Sequence, residues 1–165
     1  LESLPDWTDV DKWRNDEKSL AMANDGDLKC VFQFDSEGIR KLAKDGGVTS
    51  FDDMVAYSSI YRPGPLNMKM HERYIERKRG REQYSLHPIL DSILGKTYGV
   101  MIYQEQVMQI LNKVGGIPLK DCEAVRKAIS KKKVEAFLKY KEMFVKNGQV
   151  SLNCSEKETH FYQIE

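Results

Sequence analysis

The chain has 165 residues, 26 of them basic and 25 acidic, for a formal charge of +1. That length supports one domain, or part of a larger protein, whose core needs neither a disulfide nor a metal staple. The near balance of charge excludes a uniformly basic nucleic-acid protein and an acidic disordered tail, and no apolar run approaches the length of a membrane span.

Residues 1–14 form an acidic lead-in carrying Trp7 and Trp13. Asn15 is a candidate cap for a short helix through Met22, which Asn24-Asp25-Gly26 ends. Cys30-Val31-Phe32-Gln33-Phe34 reads as a short strand. Ser36 starts a helix with Ile39 and Leu42 inward, and Gly46-Gly47 stops it. Ser50 caps the next helix, from Phe51 to about Ile60, with Met54 and Val55 on its buried side. Asp52 and Asp53 fall in its first turn, where acids complement the helix dipole.

Tyr61-Arg62-Pro63-Gly64-Pro65-Leu66 must break the helix, because Pro63 drives Arg62 towards extended geometry. A helix from about Asn67 to Lys78 follows, with Met68, His71, Ile75 and Lys78 on one face, and Arg79-Gly80-Arg81 closes it. Pro88 opens a short helix, Ile89 to Leu94, ended by Gly95. Val100-Met101-Ile102-Tyr103 is a second strand candidate and a partner for Val31–Phe34. From Gln104, Val107, Ile110, Leu111 and Val114 follow helical spacing up to Gly115-Gly116. Residues 119–146 are the longest helical stretch. Leu119, Cys122, Val125 and Ile129 line one face of it, and Phe137, Tyr140 and Phe144 repeat the pattern after a break near Ser130. The expected class is mainly α with one minimal two-stranded β element.

Charge is uneven along the chain. Residues 1–60 carry −6, 61–81 carry +5, 82–119 carry −1, 120–146 carry +5 and 147–165 carry −2. Two cationic blocks of this kind are the electrostatic footprint of polyanion binding, and equally the pattern of solvated helix faces. In the second block, Arg126, Lys127, Lys131, Lys132 and Lys133 put five cations within eight residues. An arginine offers phosphate a two-pronged fork, and a lysine offers a mobile point charge. In the first block, Arg73, Arg77, Lys78, Arg79 and Arg81 either track a nucleic-acid backbone or complement the dipole at a helix end. Arg62 sits on a proline-stiffened loop, which is either a structural turn or a mount for a functional side chain.

Catalytic chemistry is harder to find. Asp9-Val10-Asp11 has a two-metal carboxylate spacing but lies in the polar lead-in without an apolar strand around it, and is not taken as a metal site. His71, His87 and His160 have no Cys or His at helical ligand spacing. Cys30, Cys122 and Cys154 are odd in number and form no C-x-x-C, which fits a reducing, cytosolic compartment. There is no P-loop, no G-x-G-x-x-G and no Ser/His/Asp arrangement. The residues supply a place to hold an anion and no constellation to react with it.

Five blocks carry a resemblance. They are Val31-Phe32-Gln33-Phe34-Asp35-Ser36-Glu37-Gly38, Tyr61-Arg62-Pro63-Gly64-Pro65-Leu66, Ile75-Glu76-Arg77-Lys78-Arg79-Gly80-Arg81-Glu82, Thr97-Tyr98-Gly99-Val100-Met101-Ile102-Tyr103-Gln104-Glu105-Gln106-Val107-Met108, and Val125 through Lys133. In this order and spacing, over about residues 15–146, the chain resembles the bacterial replicative C-family DNA polymerases, the polymerase III alpha subunits. The resemblance implies a multi-helix fingers domain over residues 29–165, truncated before a following Gly- and aromatic-rich motif. Residues 1–28 would be an acidic connection from the palm. The absence of an initial Met and the abrupt end at Glu165 fit a piece cut from a longer polypeptide.

For function, the resemblance implies a DNA-directed DNA polymerase, a nucleotidyltransferase of DNA replication. The family's paired basic residues reach the incoming triphosphate and map onto Arg126 and Lys127. Arg62 is expected to position nucleotide or template. Lys131, Lys132, Lys133, Arg73, Arg77 and Arg79 are expected to contact phosphate or DNA. The palm, outside this chain, would hold Mg²⁺ on three aspartates, so the chain alone would bind no cofactor and catalyse nothing. The implied partners are dNTP, primer-template DNA, the other polymerase domains and replisome subunits, in a cytoplasmic, nucleoid-associated setting without a membrane. Lys127 stands where the family has a second arginine, Ser130 where it has glycine, and Arg79 where histidine is frequent. The alternative is a stand-alone helical nucleic-acid-binding module without a nucleotidyl-transfer role.

Overall fold

Side-chain caps start α2 (Glu17–Asp25), α4 (Phe51–Ile60) and α8 (Gln104–Lys113), and positive-φ glycines follow α2 and α3 (Glu37–Gly46). The computed structural model describes residues 8–130 and 134–153. The chain divides into two compact units, Leu1–Arg79 and Gly80–Glu165.

The first unit contains α1 (Val10–Arg14), α2 (Glu17–Asp25), α3 (Glu37–Gly46), α4 (Phe51–Ile60), α5 (Pro63–Asn67) and α6 (Met70–Lys78). The cap of α2 is Asp16, whose Oδ2 accepts the Ser19 amide at 2.8 Å, and Gly26 ends the helix at φ 75°. Helix α3 packs on α2 and α4, and α6 packs on α4 and α5. Ile39, Leu42 and Ala43 from α3, Ala56, Tyr57 and Ile60 from α4, and Tyr74 and Ile75 from α6 are buried, and the Tyr57 and Tyr74 rings meet edge to face at 5.8 Å. Asn24 fastens α2 to the end of α3 by taking the Val48 amide at 2.6 Å and giving its own amide to the Val48 carbonyl at 2.8 Å.

Two local expectations shift. Helix α4 buries Asp53, Ala56, Tyr57 and Ile60, whereas Val55 is 37% exposed. A buried polar partner for Asp53 rotates the helix away from the face that hydrophobicity alone selects. The chain does break at Arg62, which is extended at φ −137° and ψ 152°, but Pro63 then occupies the first position of α5. Proline suits that position because its missing N–H is one the helix start leaves unpaired anyway. Lys69 at φ 54° separates α5 from α6.

The expected two-stranded element is not present among the described residues. Cys30 and Gln33 are left-handed, at φ 62° and 63°, and the Val31 and Phe34 amides close turns onto Leu28 and Val31. A run with two such residues cannot hold the period-two extension of a strand. Val100–Tyr103 fails for a different reason. The Ile102 and Tyr103 amides donate to Gln106 Oε1 at 2.8 and 2.9 Å, and the Val100 amide donates to Thr97. The donors a sheet ladder needs are consumed locally. The two segments also belong to different units.

The second unit contains α7 (Pro88–Leu94), a 3-10 turn (Gly95–Thr97), α8 (Gln104–Lys113), α9 (Leu119–Ser130) and α10 (Val134–Leu152). Helix α8 packs on α7 and α9, and α10 packs on α9. Leu90, Ile93 and Leu94 from α7 join Ile110, Leu111, Val114 and Ile117 from α8 and its exit, with Cys122, Val125, Phe144 and Leu152. Gly115 lets the Phe144 ring close on the exit from α8, where a Cβ would collide with it. Asn147 then donates to the Gly115 carbonyl at 3.0 Å. Leu119, expected on the apolar face, is 65% exposed at the start of α9. The expected break near Ser130 adjoins residues 131–133, outside the described residues. Helix α10 runs on to Leu152, beyond the expected limit at residue 146.

Candidate functional site

Helix α9 is seated by its apolar side. Cys122 and Val125 are fully buried in the second unit's core; Arg126 flanks that face, and Glu123 lies about one turn before Arg126 and Lys127, further round the helix. Arg126 grips Glu123 through two bonds, Nε to Oε2 at 2.9 Å and Nη2 to Oε1 at 2.7 Å. Lys127 Nζ lies 3.2 Å from the same Oε1. One carboxylate oxygen is therefore shared by the two cations that sequence reading selects for phosphate.

Exposure differs between them. The Arg126 side chain is 15% exposed and that of Lys127 60%. The hydrogen bonds from Arg126, then Lys127, hold the Glu123 carboxyl at about 2, far below the ordinary carboxylate range. Glu123 in turn raises the Arg126 guanidinium, and Glu105 at the start of α8 adds to the negative field on it. Lys131, Lys132 and Lys133 lie outside the described residues.

In the first unit, Arg62 is exposed at the cap of α5, and Arg73 and Arg79 are exposed on and just after α6. Arg77 is half-buried and engaged in an internal interaction. Lys78, which the sequence groups with these cations, leaves the surface to pair with Asp53 at 2.7 Å. Asp9 and Asp11 are both exposed, and Asp11 lies in the first turn of α1 rather than on a strand face. Among the described residues no group of three or more His, Cys, Asp or Glu side chains is placed to hold a metal ion. Nor is any helix among them long and apolar enough to cross a membrane.

Glu123 and the Asp53–Lys78 pair are engaged in ways that composition and charge blocks do not single out. Glu123 was within reach, since it precedes Arg126 by three positions and Lys127 by four, the spacing of helical ion pairs. Asp53 and Lys78 are distant in sequence and meet only through packing of α4 on α6, so no local spacing signals them.

The family model for the bacterial DNA polymerase III alpha subunit finger domain matches residues 6–151. The chain is similar to the DNA polymerase III subunit alpha of Halalkalibacterium halodurans, at 44% identity over 132 residues, covering 79% of this chain and 12% of that protein. It is 39% identical over 134 residues to the subunit of Neisseria meningitidis serogroup A, covering 81% of this chain and 12% of the relative. Against the Escherichia coli K12 subunit it is 37% identical over 141 residues, covering 82% and 12%. The chain thus spans about 12% of the length of the curated relatives it matches.

Proposed function

This chain belongs to the bacterial DNA polymerase III alpha subunit finger-domain family, and from that premise we propose that it forms the fingers of a DNA-directed DNA polymerase. On this reading Arg126 and Lys127 hold the triphosphate of the incoming dNTP. Arg62 positions nucleotide or template. Lys131, Lys132, Lys133, Arg73, Arg77 and Arg79 contact phosphate or template DNA. Residues 1–28 lead towards the palm.

Nucleotidyl transfer needs two metal ions to activate the primer hydroxyl and stabilise the leaving pyrophosphate. Those ions belong, on this reading, to carboxylates of the palm outside this chain. The contribution of these residues is to orient the triphosphate and neutralise its charge. Catalysis is not expected from this segment by itself. The partners are dNTP, primer-template DNA, the remaining polymerase domains and replisome subunits, in the cytoplasm at the nucleoid.

The observation that supports this reading best is the match of the finger-domain family model over residues 6–151. At α9, Arg126 Nη2 and Lys127 Nζ lie 2.7 and 3.2 Å from the same Glu123 oxygen, on a helix that its core fixes in place, so in this structure both cations are engaged by a carboxylate that a triphosphate has to replace. The test is Arg126→Ala in the polymerase that carries this segment. The KM for dNTP should rise while primer-template affinity stays near wild type, and an unchanged KM removes Arg126 from the nucleotide contact.

A second reading, a helical module that binds nucleic acid without nucleotide chemistry, draws on the exposed Arg62, Arg73 and Arg79 of the first unit. It requires that neutralising Arg73, Arg77 and Arg79 lower both duplex affinity and its salt slope, with no effect of Arg126→Ala on nucleotide use.

A further inference from the structure

We infer that Glu123 is an internal stand-in for phosphate, a carboxylate that bridges Arg126 and Lys127 until a triphosphate displaces it. The inference rests on the nucleotide reading of those two cations and adds a residue that sets how tightly they take an anion.

Three observations carry it. First, Glu123 Oε1 lies within 2.7 Å of Arg126 Nη2 and 3.2 Å of Lys127 Nζ, the bridging place a phosphate oxygen would take between the same two donors. Second, the Nε–Nη2 edge of Arg126, one of the two edges by which a guanidinium forks a phosphate, is filled by both Glu123 oxygens. Third, the carboxylate has water to turn into. Its side chain is 43% exposed, and α9 is seated by the buried Cys122 and Val125, so turning Glu123 into water gives up its bonds to Arg126 and Lys127 and not the seat of the helix.

Electrostatics adds a consequence. With Glu123 in place, one of the two positive charges is cancelled, and Glu105 adds further negative field at Arg126. A weakly charged anion gains little by exchanging with a carboxylate already bonded there. A triphosphate brings several negative charges and more oxygens than one carboxylate supplies, so it wins the exchange. Glu123 would thereby weaken adventitious anions more than the nucleotide.

The test compares wild type, Glu123→Gln, Arg126→Ala with Lys127→Ala, and all three changes together, in the polymerase that carries this segment. Glutamine keeps the length and polarity of Glu123 but removes the charge. Glu123→Gln should lower the KM for dNTP about two- to fivefold, the fold-change that an exposed ion pair represents. It should also strengthen inhibition by inorganic phosphate by at least that factor. In the background lacking both cations, Glu123→Gln should change neither quantity. An unchanged or raised KM for Glu123→Gln, with a raised KM for the double cation variant, overturns the stand-in role and leaves the nucleotide contact standing. An unchanged KM for the double cation variant overturns the nucleotide contact itself. Far-ultraviolet circular dichroism of each variant separates these outcomes from loss of helix.

Discussion

Lys78 donates to Asp53 Oδ2 at 2.7 Å with 8% of its own side chain and 5% of the Asp53 side chain exposed, which ties the end of α6 to the start of α4. The carboxylate also takes the Thr49 amide and hydroxyl, each at 2.8 Å, and the Tyr74 hydroxyl at 3.3 Å. Lys78 gives a further bond to the Gly47 carbonyl at 2.6 Å and lies over the Tyr57 ring. A buried charge pair persists only when its remaining donors and acceptors are satisfied, and here they are.

Removing one partner should therefore be costly. Lys78→Met strands the Asp53 carboxylate and should destabilise the first unit by about 3 kcal/mol, measured by urea unfolding. Adding Asp53→Leu should recover part of the loss, because the orphaned charge goes with it. Duplex DNA affinity at a salt where the chain stays folded should not respond to Lys78→Met, since Lys78 points inward. A fall in duplex affinity for Lys78→Met while the unit stays folded would show that Lys78 reaches DNA after all.

The same pair gives stability a pH dependence of known sign. Burial pushes the Asp53 carboxyl up, but the bonds from Lys78 and Thr49 outweigh it and hold the group below its ordinary 3.8. The folded state thus binds the Asp53 proton less readily than the unfolded chain. The resulting stability is fully present above the unfolded value and is lost as pH falls from there through the depressed folded value. Urea midpoints of wild type and Lys78→Met should converge as pH is lowered below about 4. A constant gap between them down to that range would show that the pair does not titrate as a unit.

Legibility in the sequence followed the range of the forces involved. Caps, glycine stops and proline breaks act within about one turn, so the limits at Gly46, Phe51 and Ile60 were readable from residue type, although the cap of α2 is Asp16 and not the expected Asn15. The core side of α8 was readable because Ile110, Leu111 and Val114 repeat at helical spacing, and all three are buried. The strands were misread because β-rich composition says nothing of where backbone donors go. At Cys30–Phe34 two left-handed residues bend the chain, and at Ile102 and Tyr103 a side chain takes the amides. The cations were readable as a cluster but not in their pairing. Lys78 was withdrawn by a carboxylate far away in sequence, and Arg126 was engaged by one three positions before it.

Gln106 invites a direct test of that misreading. It is 6% exposed, accepts the Ile102 and Tyr103 amides, and donates to Thr97 Oγ1 at 2.8 Å and the Ile93 carbonyl at 3.2 Å. Gln106→Leu fills the same space without either function and should destabilise the second unit by about 3 kcal/mol, because several buried polar groups lose their partner. Hydrogen exchange gives the specific signature. The Ile102 and Tyr103 amides should lose protection beyond the change in global stability, and retained protection at both would assign them another acceptor.

Gly115 sets how closely Phe144 of α10 packs on the exit from α8. The backbone turns from α8 towards α9 with the Phe144 ring pressed where a Cβ would stand and the Leu111 carbonyl close on another side. Gly115→Ala should therefore destabilise the second unit by about 1–3 kcal/mol through overpacking. If the ring is the obstacle, adding Phe144→Leu, which itself loses packing, should cost less in the Gly115→Ala background than in the wild type. A double-mutant cycle reads that difference as a coupling. Strict additivity would place the strain at the Leu111 carbonyl instead of at the α10 contact.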